Sequence, residues 1–164
     1  MPTPQTEVGM DSSIADGLRK QLEPWSQYYS SYIGNEPFFV APSNDIIDKH
    51  IAAYIEKAKD HAATILNTTP DKLSLAKSYL ARYAKLQKAG PFSPEEYTQV
   101  ILALGELDRT NGLPLLQVSK EWKPFSLKSG KMLCVPHHTP QFYEGNGGGL
   151  AHISVWVRTD ATSQ

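Results

Sequence analysis

Residues 44–67 carry the clearest pattern of hydrophobic and polar positions in the chain. Their apolar side chains recur every three or four residues and form one stripe, made of Ile47, Ile51, Tyr54, Ile55, Ala58, Ala62 and Ile65. A stripe with that period predicts an amphipathic helix. Ser43 or Asn44 is a suitable N-cap for it, because a short polar side chain accepts a hydrogen bond from the first free amides.

Two further segments show a helical period. Residues 70–89 follow Thr69-Pro70, a threonine N-cap before a proline, and end at Ala89-Gly90-Pro91. Residues 94–110 begin at Ser93-Pro94-Glu95-Glu96, which matches a capping box. We therefore predict two more helices, joined to the first by short turns that favour antiparallel packing. The side chains expected at their contacts are Ile51, Ile55, Leu73, Leu80, Ile101 and Leu104.

The N-terminal part is less regular. Residues 1–11 are polar and are expected to form a disordered tail. Residues 12–32 have helical spacing at first, and Pro24 is expected to end or kink that helix near Glu23. Residues 38–40 predict a short buried or strand-like connector.

After Gly112 the period changes to that of strands. Residues 115–118 and 131–135 are short apolar runs, and residues 150–158 alternate β-branched or aromatic side chains with others. The predicted fold class is therefore α+β, with an N-terminal bundle of three or four helices over 12–111. A small antiparallel sheet or hairpin is expected over 113–158. We predict one globular domain over 12–158, followed by a tail at 159–164.

Composition restricts the function classes. The chain has 164 residues, 40% hydrophobic and 20% charged, which suits one globular domain. A net charge of −1 argues against a protein that coats nucleic acid, since such binding needs clustered Lys and Arg. No secretory signal and no apolar run of spanning length is present, so we predict a cytoplasmic protein that contacts no membrane. Export without a signal peptide stays open. The lone cysteine, Cys134, cannot form an internal disulfide and is read as buried and inert, with a nucleophile as the alternative.

The candidate chemistry lies near the C-terminus, where three of the five histidines fall. If residues 131–137 and 150–158 form a hairpin, His137 or His138 and His152 lie near its loop end. Two imidazoles there could act as an acid–base pair or bind a metal, with Glu144 supplying a carboxylate. We take His138, His152 and Glu144 as the candidate catalytic residues, and we predict no metal site and no cofactor. Adjacent histidines in a strand point to opposite faces, so His137 and His138 are not expected to share a ligand.

The glycine-rich segment 145–149 allows two interpretations. It is not a P-loop, because no Lys-Ser/Thr and no helix follow it. It is either a flexible loop between strands or a loop whose amides approach a ligand. The candidate binding residues are Tyr143, Gly145, Asn146, Gly147, Gly148 and Trp156.

Two family patterns resemble this region in part. Gly130, the adjacent histidines and Glu144 resemble the first metal-binding motif of cupins, although that motif has histidines two apart in a strand-rich barrel. His137-His138-Thr139 and His152-Ile153-Ser154 resemble the His-x-Thr/Ser motifs of 2H phosphoesterases, which lie in two separate half-domains. Because both departures are large, we assign the chain to neither family.

Three functions follow as hypotheses. The first is a non-enzymatic interaction protein, an accessory subunit, adaptor or effector whose partner is another protein. The second is a small hydrolase or phosphodiester-cleaving enzyme that uses His138 and His152. The third is a metal- or small-ligand-binding domain at the same place. Homo-oligomerisation is possible in each case.

Overall fold

A computed structural model of the chain describes residues 3–23, 45–83, 97–142 and 145–159, and the backbone alone of 29–33 and 36–40. Two α-helices lie in this part, α1 (Ser12–Leu22) and α2 (Asp45–Ile65). None of the described helices is long and apolar enough to cross a lipid bilayer. The strands are β1 (Gln5–Val8), β2 (Tyr29–Ile33), β3 (Glu36–Val40), β4 (Leu73–Tyr83), β5 (Thr98–Leu104), β6 (Leu115–Val118), β7 (Glu121–Lys123), β8 (Lys131–Val135), β9 (Gln141–Phe142) and β10 (Leu150–Arg158).

The strands form two antiparallel sheets. The larger sheet has seven strands in the order β1-β8-β5-β10-β4-β3-β2, and the smaller has three in the order β7-β6-β9. β5 lies between β8 and β10 and pairs with both. The predicted hairpin of 131–137 with 150–158 is therefore wrong, because those two strands are not neighbours.

Both faces of the larger sheet are buried at its central strands, and β10 shows why. Its residues Ala151, Ile153 and Val155 pack against the smaller sheet, in an inner core that includes Leu116 of β6. Its residues Leu150 and Trp156 point the other way and pack against α1 and α2, in an outer core. The two sheets thus enclose a barrel of the jelly-roll type, with the helices covering one side.

The helical bundle predicted over 12–111 is wrong. Residues 73–83 and 98–104, which we read as helices, are β4 and β5 in the centre of the larger sheet. All seven side chains of β5 are buried. A strand covered on both faces loses its alternation and reads as a continuous apolar run, which periodicity cannot distinguish from a buried helix.

The helix-start signals explain part of this error. Thr69-Pro70 does precede a helix, but only the short 3₁₀ helix Pro70–Lys72, after which the chain extends. The Thr69 side chain makes no capping hydrogen bond there. The Ser93–Glu96 capping box and the Ser43 or Asn44 cap fall outside the described residues.

Several predicted elements are confirmed. α2, β6, β8 and β10 occur where the sequence indicated. α1 starts after Asp11, whose carboxylate accepts a hydrogen bond from the Ser13 amide at 2.9 Å, and it ends at Leu22, just before Glu23. Residues 5–8, which we expected in a disordered tail, form β1 on the edge of the larger sheet.

Candidate functional site

Two buried glutamine side chains connect the sheets across the inside of the barrel. Gln99 lies on β5 between Val135 and Val155, and both neighbours face the smaller sheet. Gln141 lies on β9 opposite Leu116, which also faces inward. The Nε2 of Gln141 donates a hydrogen bond to the Oε1 of Gln99 at 3.3 Å. This hydrogen bond between the two side-chain amides therefore connects the two sheets within the inner core.

One atom of this pair has no partner. Gln141 is 0% exposed, and its Oε1 accepts no hydrogen bond. A buried acceptor that is left unsatisfied costs about 1–3 kcal/mol of folding free energy. Such an atom in a native fold requires an explanation, and a bound molecule that donates to it would supply one.

A tight turn follows β8 and contains two histidines. The Thr139 amide donates to the Pro136 carbonyl at 3.3 Å, and His138 in the turn has a φ of 65°. This left-handed backbone brings the His137 and His138 rings to a centroid separation of 4.6 Å at an interplanar angle of 65°. The expectation that adjacent imidazoles point apart holds for a strand and is wrong for this turn.

The environment of His137 favours the neutral imidazole. The side chain is partly buried, and burial lowers the pKa of His137 below its usual value. The neighbouring His138 and the positive charge of Arg158 lower the pKa further. His137 is thus mainly unprotonated at neutral pH and is able to accept a proton.

These features lie at the same end of the barrel. Val135 is the register partner of Gln99, and His137 follows Val135 by two residues. We name this region the histidine end and define it by Gln99, His137, His138 and Gln141. It combines a neutral imidazole with two inward-facing amides.

His152 lies on the other face of the sheet. Its Nε2 is hydrogen-bonded to the Ser78 hydroxyl at 2.9 Å, and its ring stacks edge-on against Tyr54 of α2 at 5.3 Å. Burial lowers the pKa of His152 to about 3. The structure therefore does not bring His138 and His152 together, and Trp156, predicted to bind a ligand, is buried on the same outer face.

The glycine-rich loop is fastened to its neighbours. The amides of Asn146, Gly148 and Gly149 donate to the carbonyls of Thr110, Tyr83 and Asn111 at 2.8, 2.8 and 2.9 Å. These amides are therefore occupied. Gly149 immediately precedes the start of β10, whereas Val155, near the other end of that strand, is beside Gln99. The loop is thus remote from the histidine end, and Tyr143 and Glu144 lie outside the described residues.

Two further titratable side chains, those of Cys134 and His61, are buried in the packed structure. Cys134 is buried, and burial raises the pKa of its thiol to about 12, so the thiolate is scarce. His61 on α2 is buried, with Nδ1 2.9 Å from the Glu7 carboxylate and Nε2 3.0 Å from the Gln5 carbonyl. It fastens β1 to α2.

The sequence of this chain matches no protein-family model and no curated protein sequence. Its structure resembles solved enzymes. The fold is that of 2-oxoglutarate-dependent Fe(II) oxygenases. A Pseudomonas putida prolyl-4-hydroxylase has a TM-score of 0.68 at 9% identity, over 96% of this chain and 94% of that chain. The α-ketoglutarate-dependent epimerase SnoN of nogalamycin biosynthesis scores 0.63 at 10% identity, over 96% and 77%. An oxidoreductase of the 2OG-Fe(II) oxygenase family from Burkholderia pseudomallei scores 0.60 at 10% identity, over 94% and 85%.

These likenesses correct our functional interpretation. The structures that the fold matches are enzymes, so the reading of the chain as a non-enzymatic adaptor built on a helical bundle is wrong. The hydrolase and the ligand-binding site built on His138 and His152 fail as well, since His152 is buried against α2 whereas His138 is exposed in the turn after β8. At such low identity the likeness shows the fold alone.

The described residues do not fit an iron site. Non-haem Fe(II) oxygenases hold the metal with two histidines and one carboxylate. His50 and His61 are on α2, and His152 faces α2, which leaves the consecutive pair His137 and His138. Within the described ranges no three His, Cys, Asp or Glu side chains form a group. We therefore assign no reaction step to iron.

Proposed function

We propose that this chain is an enzyme that converts a small organic molecule at the histidine end of its barrel. The support is twofold. The fold resembles a hydroxylase, an epimerase and an oxygenase over at least 94% of this chain. The histidine end also contains a titratable group in the state that proton transfer requires.

His137 is the observation that carries the proposal. A general base works best when its unprotonated form dominates at the operating pH and it lies within reach of the substrate. Partial burial keeps the imidazole of His137 neutral while leaving part of the ring open to solvent. We assign to His137 the removal of a proton from the bound molecule.

His138 would position this group. A non-glycine residue with left-handed φ costs about 1–3 kcal/mol and persists only where the surroundings determine it. The 65° φ of His138 sets the angle between the two rings. Replacement of His138 by glycine, which adopts that φ freely, would relax the ring of His137 without removing it.

The test is turnover in a metabolite extract. The purified protein is incubated with extract in air, with and without added Fe(II) and 2-oxoglutarate, and small molecules are followed by mass spectrometry. We expect the wild-type protein and His50→Ala to deplete the same compound, and His137→Ala to leave it unchanged. His50 is the matched control, because it is a partly exposed histidine on α2.

The outcomes separate the possible mechanisms. Turnover that needs both added Fe(II) and 2-oxoglutarate would indicate oxygenase chemistry of the kind named for the structural neighbours. Turnover without them, lost in His137→Ala, would support proton transfer by His137. No depletion under any condition, or equal depletion by His137→Ala, would contradict the proposal.

A further inference from the structure

We propose that Gln141, paired with Gln99, binds an uncharged molecule that donates a hydrogen bond, such as a carboxamide or an alcohol. The proposal deepens the proposed function and rests on it, because it names the class of molecule that would meet His137. The site is the interior of the barrel at the histidine end.

The unsatisfied acceptor sets the first requirement. Gln141 Oε1 is buried and accepts nothing, while Nε2 of the same amide is held by Gln99. That bond orients the amide so that its oxygen points away from the Gln99 oxygen. An N–H or O–H group is the partner that a lone amide oxygen takes.

Charge sets the second requirement. Among the described residues, the buried polar groups placed in the inner core are the amides of Gln99 and Gln141 and the phenol of Tyr83, and none of them is a carboxylate, amine, guanidinium or imidazole. A charged molecule would lose its hydration there without gaining an opposite charge, which is costly. Lys77, the register partner of Val155, and Arg158 are exposed. They could attract an anion to the rim, but they are not buried beside the amides.

The surrounding surface sets the third requirement. Val135 and Val155 flank Gln99, and Val118 and Tyr79 pack on the same core. These side chains favour an apolar body behind the donor group. Benzamide meets all three requirements, whereas benzoate has the same shape but carries a negative charge and no donor.

The test is ligand-dependent melting of the wild-type protein with each compound alone. Benzamide at about ten times its dissociation constant is expected to raise the melting temperature by about 4 °C. Benzoate, and 2-oxoglutarate with Ni(II), are expected to leave it unchanged. The absence of a benzamide shift, or a larger shift with either anion, would overturn the proposal whatever any variant does.

A matched pair of variants locates the site. Gln141→Met removes the acceptor and should abolish the benzamide shift. Gln117→Met is the control, because Gln117 lies on β6 beside Leu116 but points to the outer side of the smaller sheet and is partly exposed. It should retain the full shift. A benzamide shift that survives Gln141→Met would place the ligand elsewhere and contradict the proposal.

The two proposals fail separately. Benzamide binding needs no turnover, so selective binding without depletion of any metabolite would sustain this site and remove the enzymatic role. Turnover that depends on His137, without selectivity for benzamide over benzoate, would sustain the enzymatic role and remove the proposed binding site at Gln141.

Discussion

The two cores that cover the larger sheet both contain unsatisfied polar atoms, but in different settings. On the outer face, the Nδ1 of His152 has no partner and lies beneath α2, against Tyr54. On the inner face, the Oε1 of Gln141 has none and lies at the end of the barrel where His137 is partly exposed. Burial alone therefore does not mark a functional site in this fold. The neighbouring residue distinguishes the two faces, because the partly exposed His137 lies at the same end of the barrel as Gln141, whereas His152 is covered by α2.

Each face should reveal its role in a different measurement. Polar groups closed off by a helix affect the folding free energy and its dependence on pH. Polar groups at the histidine end, by our proposal, affect what the protein binds. The following predictions test this division, beginning with the largest effect.

Truncation of a core side chain on either face should lower the free energy of unfolding. Leu102 is fully buried in the outer core and Leu116 in the inner core. Each Leu→Ala change is expected to cost about 2–5 kcal/mol, because the removed atoms leave a cavity. Urea unfolding measures both values. A cost below about 1 kcal/mol for Leu116→Ala would mean that the inner core is not packed, and the comparison of two buried faces would then fail.

Acid should lower the free energy of unfolding of the protein through His152, which lies on the outer face. Its pKa is about 3 in the folded protein and about 6.5 when unfolded, so the unfolded chain takes up the proton first as pH falls. The stabilisation is complete above about pH 6.5 and is lost toward pH 3. Between about pH 7 and pH 5 the loss is about 2 kcal/mol. This window lies above the titration of Asp11 and Asp108, whose carboxyl pKa values are lowered.

Unfolding at several pH values, with a variant at each face, tests this assignment. His152→Leu should flatten most of the slope between pH 7 and pH 5. His137→Ala should remove a smaller part, because the pKa of His137 is also lowered. An unchanged slope in His152→Leu would show that the buried imidazole does not control the acid response.

The smallest effect is expected at the glutamine pair. Replacing both partners of a buried hydrogen bond by apolar groups of similar shape is nearly neutral or stabilising. The double change Gln99→Met and Gln141→Met should therefore not destabilise the protein by more than about 1 kcal/mol in the absence of ligand, because it removes the unsatisfied acceptor together with the hydrogen bond. A loss of several kcal/mol in thermal unfolding would instead make the pair a structural clamp between the sheets.

Local sequence patterns correctly predicted the elements that have one apolar face or a clear terminating residue. α2 has a single apolar stripe, α1 ends before Pro24, and β10 alternates residue by residue. The errors fall on β4 and β5, where other forces decide. β4 contains helix-favouring Leu, Ala, Lys and Arg, yet nine of its residues pair with β10. Pairing with distant strands overrode local propensity there.

The candidate site was only partly visible in the sequence. The cluster of histidines near the C-terminus predicted chemistry in the segment that contains the turn at His137 and His138, and the proposed site includes that turn. Gln99 and Gln141 are 42 residues apart, and glutamine has no spacing rule that links two strands of different sheets. The hydrogen-bond partner of His152 likewise could not be predicted from the sequence, because Ser78 lies in a segment that we assigned to a helix. Our prediction of helices over residues 73–83 and 98–104 also hid the strand-rich barrel, because both segments are central strands of it.

The histidine end as the ligand-binding site is the central claim, and two-dimensional NMR of a benzamide titration tests it most directly. The side-chain amide signals of Gln99 and Gln141 and the ring signals of His137 should shift in a saturable way. The ring signals of His152 and the side-chain amide of Gln117 should stay in place. Shifts confined to His152 and Tyr54, or no shift at the two inward glutamines, would contradict the account.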